Sequence, residues 1–238
     1  MARELTAVGL CNDLGRALRM HGRLAGLAGV RVRVLVAGRP GRVLLRQAWC
    51  LKRHWPRLLL LVARGRLRCT GHRLHDARTL EWLRRLESDV GLHDAGLIYR
   101  RRLIDCFRLG ILNPHIGILP AYRGRSVMEW SILHGDPTGI TTFFVDEGID
   151  TGPNIVLRET VPVDDHPTVD AAKAHLFSLD LEMFARALGR LVRQATPAFV
   201  QRPEEGRRFY VMSELFRGVV QDILAASKRN KGSDMPLG

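Results

Sequence analysis

The feature that most constrains this chain is the alternation of short β-type runs with amphipathic segments over its first 113 residues. Residues 5–10 (LTAVGL) form an apolar run suited to a buried strand, and Asn12 and Asp13 follow as a helix start. Leu14, Leu18, Leu24 and Leu27 then recur near helical spacing. Residues 30–36 (VRVRVLV) alternate apolar side chains with Arg, the pattern of a half-buried strand. Glycine and proline break the pattern at 38–41, and a helical region runs through Leu44, Leu51 and Trp55. Further helix is expected at 80–86 and 103–107, and short strands at 96–99 and 110–113. Parallel neighbours need a crossover, usually a helix, so this repetition predicts an α/β fold with a mostly parallel sheet flanked by helices.

Beyond Asn113 the texture changes to an irregular loop through His115, Pro120 and Gly124. The pattern then predicts a helix over 126–134, strands over 139–145 and 155–160 around an Asp/Gly-rich turn, and a long helix over 168–193. A last helix is expected over 212–226. The organisation expected is a core over 1–160, a C-terminal helical extension of the same domain over 161–227, and a tail without fixed structure over 228–238.

The longest purely apolar run, residues 58–63, is far short of the ~20 residues of a membrane span. No apolar signal segment follows Met1, so a cytoplasmic protein with no membrane partner is expected. Cys11, Cys50, Cys69 and Cys106 lack the close spacing of a zinc or redox motif and read as free thiols. His72 and His75 have no third ligand at suitable spacing, so no metal is expected. The charge is uneven. Residues 1–110 hold 23 basic and 8 acidic side chains, against 14 and 16 in the remainder. An anionic ligand at the N-terminal half is one reading, and a solvated Arg-rich surface is the other. No finger or aromatic-interleaved basic stripe points to nucleic acid.

Several activities lose support directly. No two glycines are separated by one residue, which removes the G-x-G-x-x-G dinucleotide fingerprint. No Gly-Lys pair and no G-x-S-x-G elbow occur, which removes the P-loop and the hydrolase elbow.

What remains is a constellation at the end of a predicted strand. In extended chain, Asn113 and His115 project to the same face, and ligands of α/β proteins bind at the carboxyl ends of strands. Asp150 lies in Asp146-Glu-Gly148-Ile-Asp150-Thr-Gly152-Pro, where glycines permit tight turns that bring a carboxylate against the imidazole. An amide donor, an imidazole and a carboxylate suit acyl transfer to an amine: one stabilises an oxyanion, one moves protons, one orients the imidazole. On these residues alone, a strand-ending turn, a structural histidine and a plain hairpin or calcium loop stay open.

The longer string resembles the folate-dependent formyltransferase family. The features are Asn113-Pro-His115, Leu119-Pro120-Ala-Tyr122-Arg123-Gly124, Trp130, Gly135, Gly139-Ile-Thr141 and Asp146-Glu-Gly-Ile-Asp150-Thr-Gly152, all in one order. The match is dense over 110–160 and loose elsewhere. The resemblance implies a Rossmann-like sheet, an Asn113, His115 and Asp150 site, and N(10)-formyltetrahydrofolate as co-substrate. It places the donor near Ile98, Tyr99 and Arg100 and the backbone around Val145 and Gly148. Tyr122, Arg123 and Trp130, with Asn12 at the first-strand loop, are the implied substrate contacts. Among acceptors, the pattern, C-terminal Gln201 included, looks closer to enzymes that formylate amino sugars on nucleotide carriers. Methionyl-tRNA enzymes carry a C-terminal β-barrel, whereas the residues after 160 read mainly as helix. Glycinamide ribonucleotide and amino-acid derivatives are the alternative acceptors, a basic nucleic-acid-binding protein is the rival class, and a homodimer is the expected assembly.

Overall fold

The computed structural model describes residues 4–38, 53–193 and 199–233. Five strands run parallel: β1 (Leu5–Cys11), β2 (Val30–Ala37), β3 (Leu67–Thr70), β4 (Val90–Asp94) and β5 (Gly110–His115). They lie in the order β3-β2-β1-β4-β5, so the winding direction reverses between β1 and β4. A crevice opens at the carboxyl ends of such strands, where doubly wound folds bind ligands. After the short strand β6 (Tyr122–Gly124), β7 (Gly139–Phe144), β8 (Asn154–Thr160) and β9 (Phe199–Val200) extend the sheet antiparallel from β5. β10 (Arg207–Phe209) pairs parallel with β6 in a separate two-stranded sheet.

Helices cover both faces, as a parallel sheet requires. On one face, Val30, Val32 and Val34 of β2 pack with Leu14 and Leu18 of α1 (Leu14–Leu24), and with Phe184 and Leu188 of a C-terminal helix. Opposite, Val8, Leu10 and Leu35 meet Leu80 and Leu83, which lie beyond α2 (Trp55–Ala63) on α3 (Ala77–Arg85), and Leu103 of the single-turn α4 (Arg101–Ile104). A third cluster joins Met128 of α5 (Val127–His134) to Leu176 of α6 (Val169–Ser178), Met183 of α7 (Asp180–Val192) and Leu224 of α8 (Glu214–Ser233). The Arg residues of β2 explain its alternation: Arg31 is exposed and Arg33 half-buried, while Leu35, covered on its own face, is fully buried.

Several expectations are corrected. The strand expected at 96–99 is a loop. The strand before it is β4, and Gly96 takes φ +62°, leaving Leu97 and Ile98 exposed. β3 escapes the apolar pattern because it is a short, half-exposed strand with Arg68 in it. The long helix expected over 168–193 is two helices that meet at Leu179, which puts Asp180 in the first turn of α7. The segment between α7 and α8 contributes strands β9 and β10 to what was expected to be a helical extension. The helix across 103–107 is a single turn, Arg101–Ile104. Helical backbone continues to Ser233, into the stretch expected to lack structure. The break at 39–41 and the helical region through Leu44 and Leu51 lie outside the described residues.

Candidate active site

The cavity sits at the carboxyl ends of β4 and β5, beside the first turn of α1, and holds about 490 Å³. β5 delivers Asn113 and His115 to its wall, two positions apart on one strand. His115 is 8% exposed. Its ring lies over Gly117, where a Cβ would come within 2.7 Å of Nε2, and edge-on to Phe143 of β7. Nε2 donates to the Tyr122 carbonyl at 2.9 Å, which leaves Nδ1 facing Asp150 Oδ2 at 3.4 Å. Among the described residues the Asn113 amide has no hydrogen-bond partner, so it remains available to a ligand.

Asp150 comes from the loop between β7 and β8. It adopts φ +55°, a left-handed conformation that Asp and Asn tolerate better than other non-glycine residues. Its Oδ2 also accepts the Gly124 N–H at 2.9 Å. Buried Gln201 braces the loop from behind, donating Nε2 to the carbonyls of Asp150 at 3.1 Å and Gly152 at 2.7 Å. Gly152 is obligatory there, because a Cβ would fall 1.8 Å from the Phe144 carbonyl oxygen. Asp146, by contrast, accepts Gly148 N–H and Thr151 Oγ1–H within its own turn. The loop's Glu147 accepts the backbone N–H of Arg101 at 3.0 Å, which ties it to the 95–101 segment.

The rest of the wall is charged. Arg16, in the first turn of α1, pairs through Nε with Asp94 and reaches Asp180 Oδ2 at 3.4 Å. Burial raises the Asp94 carboxyl and pushes Asp180 up to about 7, and Arg16 opposes both shifts. Lys173 of α6 bonds Glu129 Oε1 at 2.7 Å. His93, at the end of β4, is held down at about 4 mainly by burial, with Asp150 pulling it back up. Its Nδ1 engages the Tyr99 hydroxyl at 2.8 Å. Arg125 lines the cavity from an exposed position without an ion pair among the described residues.

The structure brings some of the expected contacts together and not others. Asn113 and His115 share the cavity wall, and Asp150 meets His115 without lining that cavity itself. Ile98 and Arg100 are exposed on the 95–101 segment, which Glu147 joins to the loop of Val145 and Gly148. Tyr99 is buried beneath, where its hydroxyl orients His93. The expected acceptor contacts lie elsewhere. Tyr122 stacks on Phe209 and bonds His134 and Asp136, Arg123 donates to the Gly206 carbonyl, and Trp130 donates to the Tyr210 carbonyl. They knit β6 and α5 to the segment carrying β10, outside the cavity wall. Asn12 spends its amide on the Ala95 carbonyl at 3.2 Å. Asp13 caps α1 by accepting the Arg16 N–H at 2.8 Å, so a carboxylate already occupies that helix end and disfavours an anion there.

Arg16, His93, Asp94, Glu129 and Asp180 escaped the sequence reading, whereas Gln201 was noted there only for its likeness to sugar-formylating enzymes. Asp94 was hidden by the misplaced strand, and Asp180 by a period that ran through the junction of α6 and α7. An Asp at a helix start was the one signal that marked it.

The family model described as "Formyl transferase" matches residues 59–188, more than half of the chain. The chain belongs to the formyl transferase family. A methionyl-tRNA formyltransferase of Pelobacter propionicus is 34% identical over 122 residues, covering 50% of this chain and 38% of the relative. The matched part is thus under half the length of that curated relative. A 4-N formyltransferase from Francisella tularensis superposes with a TM-score of 0.60 at 14% identity, covering 95% of this chain and 88% of that one. The formyltransferase PseJ from Anoxybacillus kamchatkensis, solved with UDP-4,6-dideoxy-4-formamido-L-AltNAc and tetrahydrofolate, gives 0.54 at 16%, covering 93% and 99%. These superpositions share the mixed, mostly parallel sheet flanked by helices. Among the described residues no helix is long and apolar enough to cross a membrane.

Proposed function

We propose that this chain transfers a formyl group from N(10)-formyltetrahydrofolate to a primary amine, with Asn113, His115 and Asp150 performing the chemistry. The observation that carries this reading is that His115, which Asp150 contacts at 3.4 Å, lines the same cavity as an Asn113 amide unpartnered among the described residues. Attack by a neutral amine places negative charge on the formyl oxygen and positive charge on the nitrogen. Asn113 is positioned to donate to that oxygen, and one oxyanion donor is worth about 10²–10³ in rate. The His115–Asp150 pair moves the proton from the new ammonium toward the departing nitrogen, a contribution of about 10²–10⁴. The exposed Ile98 and Arg100, with the backbone of Val145 and Gly148, fit a flat heterocycle held by one apolar wall and main-chain groups. The tetrahydrofolate named for the PseJ complex supports that donor.

For the acceptor we favour an amino sugar on a nucleotide carrier. Support comes from PseJ, solved with a UDP-linked formamido sugar, which superposes over 93% of this chain, segments after residue 160 included. Unpaired Arg125 at the cavity is a partner for a carrier phosphate. Methionyl-tRNA is the second reading, favoured by the 34% identity to the Pelobacter enzyme.

The deciding experiment follows formyl transfer from the labelled donor to UDP-linked 4-amino sugars, glycinamide ribonucleotide and methionyl-tRNA. Turnover with one amine and none with the others identifies the acceptor. No transfer to any of them, with no heat on titrating a stable folate analogue at millimolar concentration, refutes the assignment. Tight, salt-dependent binding to generic RNA or DNA in its place would favour the nucleic-acid class.

A further inference from the structure

Formyl transfer by Asn113, His115 and Asp150 leaves two buried carboxylates of the cavity wall without a role. Glu129, 3% exposed on α5, gives Oε1 to Lys173, while its Oε2 has no partner. Asp180, 8% exposed at the start of α7, gives Oδ2 to Arg16, while its Oδ1 has no partner. Asp94 beside them is held by Arg16 and lies against the Cys11 thiol. A buried acceptor left without hydrogen is costly, more so when it carries charge. Three such oxygens, Asp94 Oδ2 included, belong to residues that line one cavity, and those of Glu129 and Asp180 lie on separate helices. Both nearby cations are already committed to these carboxylates, so the interior does not suit a phosphate. It suits a ligand that brings hydrogen-bond donors.

We infer that Glu129 and Asp180 form the acceptor subsite, and that it takes a polyhydroxylated amine whose ring O–H or N–H groups donate to Glu129 Oε2 and Asp180 Oδ1. This rests on the formyl-transfer reading and narrows its acceptor. A methionyl side chain offers no such donors, whereas an amino-hexose ring offers several around the reacting nitrogen. Arg16 and Lys173 act as positioning residues: each holds one oxygen of its carboxylate and leaves the other to the ring. Carrier phosphates stay toward Arg125.

The test measures binding and turnover of a UDP-linked 4-amino hexose by the full chain, its Asp180→Asn variant and its Glu129→Gln variant. Each variant keeps the side-chain shape and one acceptor oxygen for its cation. At pH 8, above the Asp180 value of about 7, losing an acceptor oxygen should raise the acceptor KM about ten- to hundredfold in each, with the donor KM changed less than twofold. A wild-type acceptor KM in both variants, or equal effects on donor and acceptor, overturns the subsite and leaves formyl transfer standing. Calorimetry separates the converse. If the amine binds the wild type and not the variants while no formyl is transferred, the subsite stands and the reaction falls. Failure of the wild type to bind the hydroxylated amine at millimolar concentration overturns the subsite. Should a variant not fold, the wild type decides with an analogue lacking the ring hydroxyls next to the amine. Weaker binding of that analogue by tenfold or more supports the subsite, and equal binding overturns it.

Discussion

Replacing Asp150 with Asn isolates the charge of this carboxylate. Asn is isosteric, tolerates the φ of +55° at this position, and keeps an oxygen to accept the Gly124 N–H. Folding should therefore change little, whereas Ala would add the strain of a left-handed backbone and lose the Gly124 bond. The loss falls on the proton-carrying state of His115. At 3.4 Å, a unit pair interacts by about 5 kcal/mol at an effective dielectric of 20 and about 1 kcal/mol in bulk water. With Asp150 13% exposed in its side chain, the site lies between these limits. A loss of about 3–4 kcal/mol corresponds to about 10²–10³ in turnover, within the range of general acid–base catalysis. Asp146→Asn serves as the control, since Asp146 bonds only within its own turn. The assay is formyl transfer under saturating donor and amine, paired with a urea melt of each variant. Asp150→Asn retaining a third or more of wild-type turnover would refute the argument, as would an equal loss in Asp146→Asn.

Three further outcomes are expected. His115→Ala and Asn113→Ala should each lower turnover at least a hundredfold with cooperative unfolding retained, and full activity in His115→Ala would remove this residue from the mechanism. Asp180 is held at about 7 in the folded chain against an ordinary 3.8, so the native state keeps its proton longer and Asp180 lowers stability as pH rises from about 4 to 7. His93, held at about 4 against 6.5, works in the opposite direction between those values, so the urea-melt difference between wild type and Asp180→Asn at pH 5 and pH 8 is the measurement. The variant should gain relative stability at pH 8, and an unchanged difference would contradict the burial of Asp180. Gly206→Ala should destabilise by about 1–3 kcal/mol or more, because its Cβ would meet the Pro120 carbonyl at 1.6 Å, whereas Gly218→Ala on exposed α8, with nothing within 4 Å, should gain up to about 1 kcal/mol. Thermal melts decide, and equal shifts would count against the packing described.

By itself the sequence determined the layered α/β plan and pointed to the proposed site on β5. Apolar runs at β1 and β2, with α1 between them, report burial on a sheet covered by helices, and that pattern is local. Asn113 and His115 were legible because strand geometry puts i and i+2 on one face, and Asp150 because two glycines mark its turn. Only the tertiary structure decided the rest of the wall. Arg16, Asp94 and Asp180 are separated by up to 164 residues and meet because the winding reverses between β1 and β4 while α7 returns over the same edge. The family resemblance marked Tyr122, Arg123 and Trp130 as ligand contacts, yet Arg123 and Trp130 donate to carbonyls some 80 residues away, while Tyr122 stacks on Phe209 and bonds His134 and Asp136. Side-chain type reveals that a polar group needs a partner. Which partner it finds, protein or ligand, depends on long-range packing that no local pattern encodes.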